Sequence, residues 1–232
     1  MKIGIMQPYF WPYLGYFQLI SSVDKFVIYD NIQYTKKGWF NRNRYLCDSR
    51  DKYFSISIAK DSDFLDVRER MVSESFDKKK LKNQIKMAYS RATYFKDVYP
   101  IFCECVDYSE NNLFYYIKYS LDKVLEYLNI DTEIIISSSI DIDHTKKGKN
   151  KVIDICKKLD ANEYINPIGG QKLYDKDEFK SEGVDLYFIQ MNTDIYYEQF
   201  KNEFVPGLSI LDVMMFNSRQ EIQKLLNRYT LI

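Results

Sequence analysis

Lys2-Ile3-Gly4-Ile5-Met6, then Gln7-Pro8-Tyr9-Phe10-Trp11-Pro12-Tyr13-Leu14-Gly15-Tyr16-Phe17, then Phe26-Val27-Ile28-Tyr29-Asp30, is the stretch that decides the fold. Residues 2–6 are a short apolar run that reads as a buried strand. Gln7 to Phe10 reads as a turn, and Pro12 sits where proline is tolerated, in a helix first turn. Leu14, Phe17, Leu19 and Ile20 suit a short helix that ends near Ser22. Residues 26–29 are a second buried strand, with Asp30 at its C-terminal end.

Working outward, residues 31–44 are polar and basic around Trp39, Tyr53 to Ile58 alternates as a strand, and residues 60–76 show no clear period. Helical spacing predicts helices over roughly 77–91, 95–107 and 111–128, the last capped by Asn111 or Asn112. Strands follow at Glu133–Ser137, Tyr164–Asn166 and Leu186–Gln190, with a helix over Lys149–Leu159 after the first of them. Two helices, 209–216 and 219–229, end the chain. Strands alternating with helices predict an α/β fold: a Rossmann-like, mostly parallel sheet with helices on both faces. The whole chain, 1–232, reads as one domain, with 77–128 a central helical insertion or small subdomain.

Composition bounds the function. Lys+Arg and Asp+Glu both number 33, so no net positive field attracts nucleic acid or an anionic membrane. No stretch approaches the roughly 18 apolar residues of a bilayer span, and no signal peptide is read at the start. The expectation is a cytoplasmic protein whose four cysteines stay reduced. His144 is the one histidine and completes no Cys/His set, so no metal site is expected. Aromatic residues reach 16%. Either AT-rich codon usage or a ring-lined sugar or base surface accounts for that.

Ligands of open parallel sheets bind at the C-terminal ends of the strands. Gln7, Asp30 and Asn166 fall there. Around Asp30, the segment to Arg44 gathers Gln33, Tyr34, Lys37, Trp39, Asn41, Arg42 and Asn43. Guanidinium and ammonium groups pair with phosphate or carboxylate, amides read hydroxyls, and rings stack on sugars. A solvated loop anchored by Trp39 is the plainer alternative. Asn166-Pro167-Ile168-Gly169-Gly170, with Tyr174 close behind, offers paired glycines whose N–H groups can face an anion. A plain turn explains them equally. Ser209 and Asp212 fit a helix cap, with Asn217 at the other end of that helix. Ser137-Ser138-Ser139 is either a phosphate loop or an ordinary one, and the lysines around His144 suit a solvated loop.

Four segments together resemble the WbqC-like family: MQPYFWPYLGYFQLI, FVIYDNIQYTKKGWFNRNR, YINPIGGQKLYD and FVPGLSILDVMMFN, in that order along nearly the whole chain. The resemblance implies a role in bacterial surface-glycan clusters such as those for O-antigen. It implies a transferase that attaches an acyl or aminoacyl group to a nucleotide-linked amino sugar. Its signature positions include Gln7, Tyr9, Asp30, Gln33, Trp39, Asn41, Arg42, Asn43, Asp212 and Asn217. In that reading Asp30 is the catalytic base, Arg42, Arg44 and Lys37 hold phosphate or carboxylate, and Trp39 and Tyr9 stack on sugar or base. Gln7, Tyr16, Gln33, Asn41, Asn43, Asn166, Gly169, Gly170, Tyr174, Asp212 and Asn217 complete the expected substrate contacts.

The first motif also resembles the H-x-G-H region of nucleotidylyltransferases, with Tyr13 and Tyr16 in place of the histidines. That second resemblance implies ATP with magnesium over residues 7–16. A non-catalytic partner of glycan-biosynthesis enzymes, using exposed rings as interface anchors, is the third expectation.

Overall fold

The computed structural model describes residues 1–200 and 203–232. Its main sheet has six strands: β1 (Lys2–Met6), β2 (Lys25–Ile28), β5 (Glu133–Ile136), β6 (Glu163–Pro167), β7 (Asp185–Met191) and β8 (Tyr229–Leu231), in the spatial order β5-β2-β1-β6-β7-β8. The first five are parallel, and β8 runs antiparallel along β7. A separate hairpin pairs β3 (Arg42–Cys47) with β4 (Arg50–Ser55). Eight α-helices complete the described chain: α1 (Leu14–Ser21), α2 (Lys78–Tyr89), α3 (Phe95–Asp107), α4 (Leu113–Leu128), α5 (Gly148–Lys158), α6 (Lys176–Ser181), α7 (Ile210–Phe216) and α8 (Arg219–Leu226).

Both sheet faces are buried, which is why its strands are runs of apolar residues rather than half-polar alternations. Ile3, Ile5, Val27, Tyr164, Leu186 and Phe188 face a core completed by Val152, Ile155 and Cys156 of α5 and Phe179 of α6. Phe26, Ile28, Ile165 and Ile189 face the other core, with α1, α3, α4, α7 and α8. Gly4 lets α1 lie close, because a Cβ there would stand 3.2 Å from the Leu19 side chain. The segment between β2 and β5 holds the hairpin and α2–α4. Its buried Leu81, Ile85, Phe102 and Leu121 belong to the same continuous core as α1. Asn112 caps α4 by accepting from the N–H groups of Phe114 and Tyr115.

After β5 the chain crosses to the far side of β1 and lays down β6. The order therefore reverses between β1 and β6, and a crevice opens above their C-terminal ends.

The structure departs from the sequence expectation in five places. Pro12 lies before the N-cap Tyr13, outside the first turn of α1, because the helix starts only at Leu14. Residues 42–44, expected as the end of a polar segment, begin β3, because Asn43 and Tyr45 alternate inward beneath outward Arg42 and Arg44. The paired strand starts earlier than expected, at Arg50, and closes at Ser55. A short helix, α6, separates β6 from β7. Finally, α8 stops at Leu226, and Tyr229–Leu231 turns back as β8 to pair with β7, so Tyr229 lies on a strand and not on the helix face.

Candidate functional site

Over the ends of β1, β6 and β7 lies a cavity of about 550 Å³. That is the usual size of a small-molecule site, at the usual place for this topology. Its walls come from Met6 at the end of β1, Tyr9 and Tyr13 of the following elbow, and Gly15 and Gln18 of α1. Trp39, Asn43 and Arg44 face it from the hairpin side, Pro167–Gly169 and Ile189–Met191 from the strand ends, and Gly207 from the loop before α7.

The elbow carries backbone strain. Trp11 adopts a left-handed φ of 47°, a conformation that costs a residue with a Cβ roughly 1–2 kcal/mol. Neighbouring segments hold it there. Asn43 Nδ2 donates to the carbonyls of Phe10 (3.0 Å) and Trp11 (2.7 Å), and its Oδ1 accepts from the Arg44 N–H at 2.8 Å. Ser209 Oγ donates to the Trp11 carbonyl at 2.7 Å. The Phe10 N–H reaches the Trp39 carbonyl and the Ile210 N–H reaches that of Pro12. The Trp11 ring packs on Phe102 with centroids 5.3 Å apart, while its Nε1 is buried without a partner. Tyr13 lies across Gly15, where a Cβ would stand 2.4 Å from the ring.

Arg44 supplies the cavity's guanidinium. Nη1 meets Asp51 at 3.2 Å, Nη2 donates to the Gly207 carbonyl at 2.8 Å, and Nε has no partner. Its Cζ lies 5.8 Å from the Trp39 ring. Arg42 points elsewhere. It donates to the carbonyls of Gly38 and Lys37 and sits 4.9 Å from the Tyr53 ring, which stacks on Trp39. Burial raises both cavity phenols above the ordinary tyrosine range, Tyr9 to about 12, so each stays protonated at neutral pH and can donate a hydrogen bond. Gln18 is fully buried. Its Nε2 donates to the carbonyls of Leu225 and Arg228, which fixes the amide's orientation and leaves Oε1 unpartnered.

Of the expected contacts, Tyr9, Trp39, Asn43, Arg44 and Gly169 line this cavity. The others lie outside its lining. Tyr16 is buried, and its hydroxyl donates to the Gln7 carbonyl at 2.9 Å, which occupies the phenol that the nucleotidylyltransferase resemblance places on phosphate. Gln7 itself is half-buried. Asn41 ties Tyr34 to Ile56, Gln33 donates to the Asp63 carbonyl, and Lys37 is exposed. Asn166 accepts from the Tyr164 hydroxyl, and Gly170 packs so close that a Cβ there would stand 1.8 Å from the Asn166 Nδ2. Tyr174 sits edge-on to Tyr164 and Phe179.

Asp212 is fully buried. It accepts from the Tyr89 hydroxyl at 2.8 Å and from Gln199 Nε2 at 2.7 Å, and desolvation raises its pKa to about 6. Tyr89 in turn accepts from the Leu46 N–H, so one carboxylate joins α7 to α2 and β3. Asn217 closes α7 by donating to the Val213 carbonyl and exchanging bonds with the Glu198 backbone.

Asp30 is buried on the other side of β1, over the ends of β2 and β5, where it accepts the Ser138 N–H at 2.9 Å. Beside it, Asn31 links Ser137 to His144, and His144 Nε2 reaches the Ile140 carbonyl. Ser139 Oγ donates to the Ile136 carbonyl. The serine run therefore spends these donors within the protein.

Gln18, Gln190, Met191 and Gly207 line the cavity without having been expected to. Gln190 carries the signal that marked Gln7 and Asn166, a polar residue at a strand end. Gln18 carries a fainter one, an amide among the apolar residues of α1. No group of His, Cys, Asp and Glu side chains arranged to hold a metal occurs among the described residues. No helix among them is long and apolar enough to cross a membrane.

Comparison with known proteins adds two findings. A model of the WbqC-like protein family matches residues 7–224. An uncharacterized protein of Mycobacterium tuberculosis (strain ATCC 25618 / H37Rv), Rv1507c, is 27% identical over 221 residues, which span 93% of each chain. No solved structure matches the chain.

Proposed function

We infer a function from one premise: the chain belongs to the WbqC-like protein family. We propose that it is an enzyme of surface-glycan biosynthesis that transfers an acyl or aminoacyl group to a nucleotide-linked amino sugar held in the crevice above β1, β6 and β7. The observation that carries this reading is the cavity of about 550 Å³, ringed by Tyr9, Tyr13 and Trp39, with Arg44 at its wall. Rings offer flat apolar surface to a sugar or base. A guanidinium with an unpartnered N–H matches a phosphate or carboxylate oxygen.

In the transfer, the sugar nitrogen attacks the donor carbonyl carbon, a C–N bond forms, and the bond to the donor's leaving group breaks. The nitrogen's proton departs to solvent or to that leaving group. As the carbonyl oxygen takes on negative charge, the Tyr9 and Tyr13 hydroxyls and Arg44 are the donors at hand to stabilise it. Among the described residues, the lining has no carboxylate or imidazole. A base role for Asp30 therefore requires a ligand that extends over the end of β2. Loss of turnover in a folded Asp30→Asn variant supports that extension, and full activity removes Asp30 from the chemistry.

A thermal-shift screen against nucleotide sugars, acyl-CoA thioesters and aminoacyl donors tests the reading. A ligand at 100 times its Kd stabilises by about 2.7 kcal/mol. The expected result is a nucleotide-sugar response that Arg44→Gln weakens at least roughly tenfold in affinity, as loss of a charge-assisted hydrogen bond predicts. No response to any nucleotide sugar overturns it.

A further inference from the structure

Asp212 belongs to the sequence motifs, yet it lies outside the crevice lining and takes no part in the transfer step. Both of its carboxylate oxygens begin chains of hydrogen bonds that end at Arg44. Oδ1 accepts the Tyr89 hydroxyl at 2.8 Å, and that hydroxyl accepts the Leu46 N–H at 2.8 Å, two residues along β3 from Arg44. Oδ2 accepts Gln199 Nε2 at 2.7 Å. The Gln199 amide also exchanges two 3.0 Å bonds with the Val205 backbone. Two residues further on, the Gly207 carbonyl accepts Arg44 Nη2 at 2.8 Å. A Cβ at Gly207 would stand 3.1 Å from that Nη2, so glycine permits the approach. A backbone link completes the set. The Asp212 N–H donates to the Ser209 carbonyl and the Ser209 N–H donates to the Arg44 carbonyl, each at 2.9 Å.

We propose that Asp212 is a positioning residue for Arg44: its carboxylate fixes β3 and the Gly207 carbonyl at the spacing that turns the guanidinium to the crevice. The proposal rests on the reading of the crevice as the ligand site, and it assigns Asp212 no contact with ligand.

The ionised form suits this task and the acid does not. Tyr89 already accepts from Leu46 and donates to Oδ1, and Gln199 Nε2 can only donate. A proton on either oxygen therefore faces a donor, and one arm is lost. Tyr197 also faces the carboxylate, and burial keeps its phenol protonated. Asp51 is the carboxylate on Arg44 itself, 3.2 Å from Nη1. Burial brings the Asp212 change of state to about pH 6, where it can be followed without unfolding the protein.

Two measurements test the role. The first follows the Arg44 Nε–H resonance by NMR from pH 4.5 to 7.5, in an Asp51→Asn background that removes the other carboxylate. A shift with its midpoint near 6 is expected, absent in Asp212→Asn and at least halved in Gln199→Met, which cuts one arm and keeps the charge. The second is titration with sulfate, whose own charge is constant over that range. Acidification makes the whole chain more positive, which by itself strengthens anion binding. The wild-type affinity is nevertheless expected to fall about fivefold between pH 7 and pH 5, the worth of one hydrogen bond. Both wild-type series stand even where Asp212→Asn folds poorly. An Arg44 resonance that ignores pH near 6, a full shift in Gln199→Met, or sulfate binding that is absent or rises on acidification overturns the positioning role. A failed nucleotide-sugar screen beside a titrating Arg44 resonance overturns the transferase reading and leaves the positioning in place.

Discussion

The crevice and the interlock beneath it are built from the same sequence motifs but spend their polar groups differently. In the interlock, Asn43, Ser209, Tyr89, Asp212 and Asn217 give their hydrogen bonds to other parts of the protein. At the crevice, Arg44 Nε and Gln18 Oε1 have none, and the rings of Tyr9, Tyr13 and Trp39 form the wall. A distinctive polar residue is therefore not by itself a ligand contact. What separates the two regions is whether the fold has already used the group.

The comparison breaks most sharply at Asn43. Asn43→Leu leaves the carbonyls of Phe10 and Trp11 and the Arg44 N–H unpaired and releases a strained turn. A loss of roughly 3 kcal/mol in chemical denaturation is expected, with ligand response lost alongside it. Arg44→Gln should be the opposite case. Its one ion pair, with Asp51, is partly exposed, so stability moves by less than about 1 kcal/mol while binding falls.

Asp212 sharpens the contrast through pH. Burial raises its folded pKa from the ordinary 3.8 to about 6, so between those values the folded protein holds a proton that the unfolded chain releases. Stability contributed by this group is present below about pH 4 and is lost as pH rises through 6, by on the order of 2–3 kcal/mol. Denaturation curves at pH 4, 5, 6 and 7 should show that slope in the wild type and its absence in Asp212→Asn. Equal slopes in both would place the titration elsewhere. The smallest effect lies outside both regions. The hairpin turn holds Asp48 and Ser49 at φ of 52° and 62°. Ser49→Gly should stabilise by about 0.5–1 kcal/mol without touching ligand binding, because glycine adopts that conformation freely.

Much of the fold was legible in the chain. Apolar runs at 2–6 and 26–29 and helical periods over 77–128 announce β1, β2 and α2–α4, because burial on one or two faces imposes those patterns directly. β8 and β3 were not legible in the same way. A three-residue edge strand has no period to detect, and β3 hides its alternation under Arg42 and Arg44.

The site divides along the same line. The sequence by itself determined that polar and aromatic residues would gather at the C-terminal ends of parallel strands, since strand length and the βαβ connection dictate where each strand stops. Tertiary structure alone decided that Arg44 faces the crevice while Arg42 binds its own loop, and that Asp212 is sealed in the core. It also decided that Asp30 lies on the far side of β1 from the crevice. Those outcomes depend on which distant segment reaches each group first, and contacts between residues far apart in the chain leave no periodic trace in it.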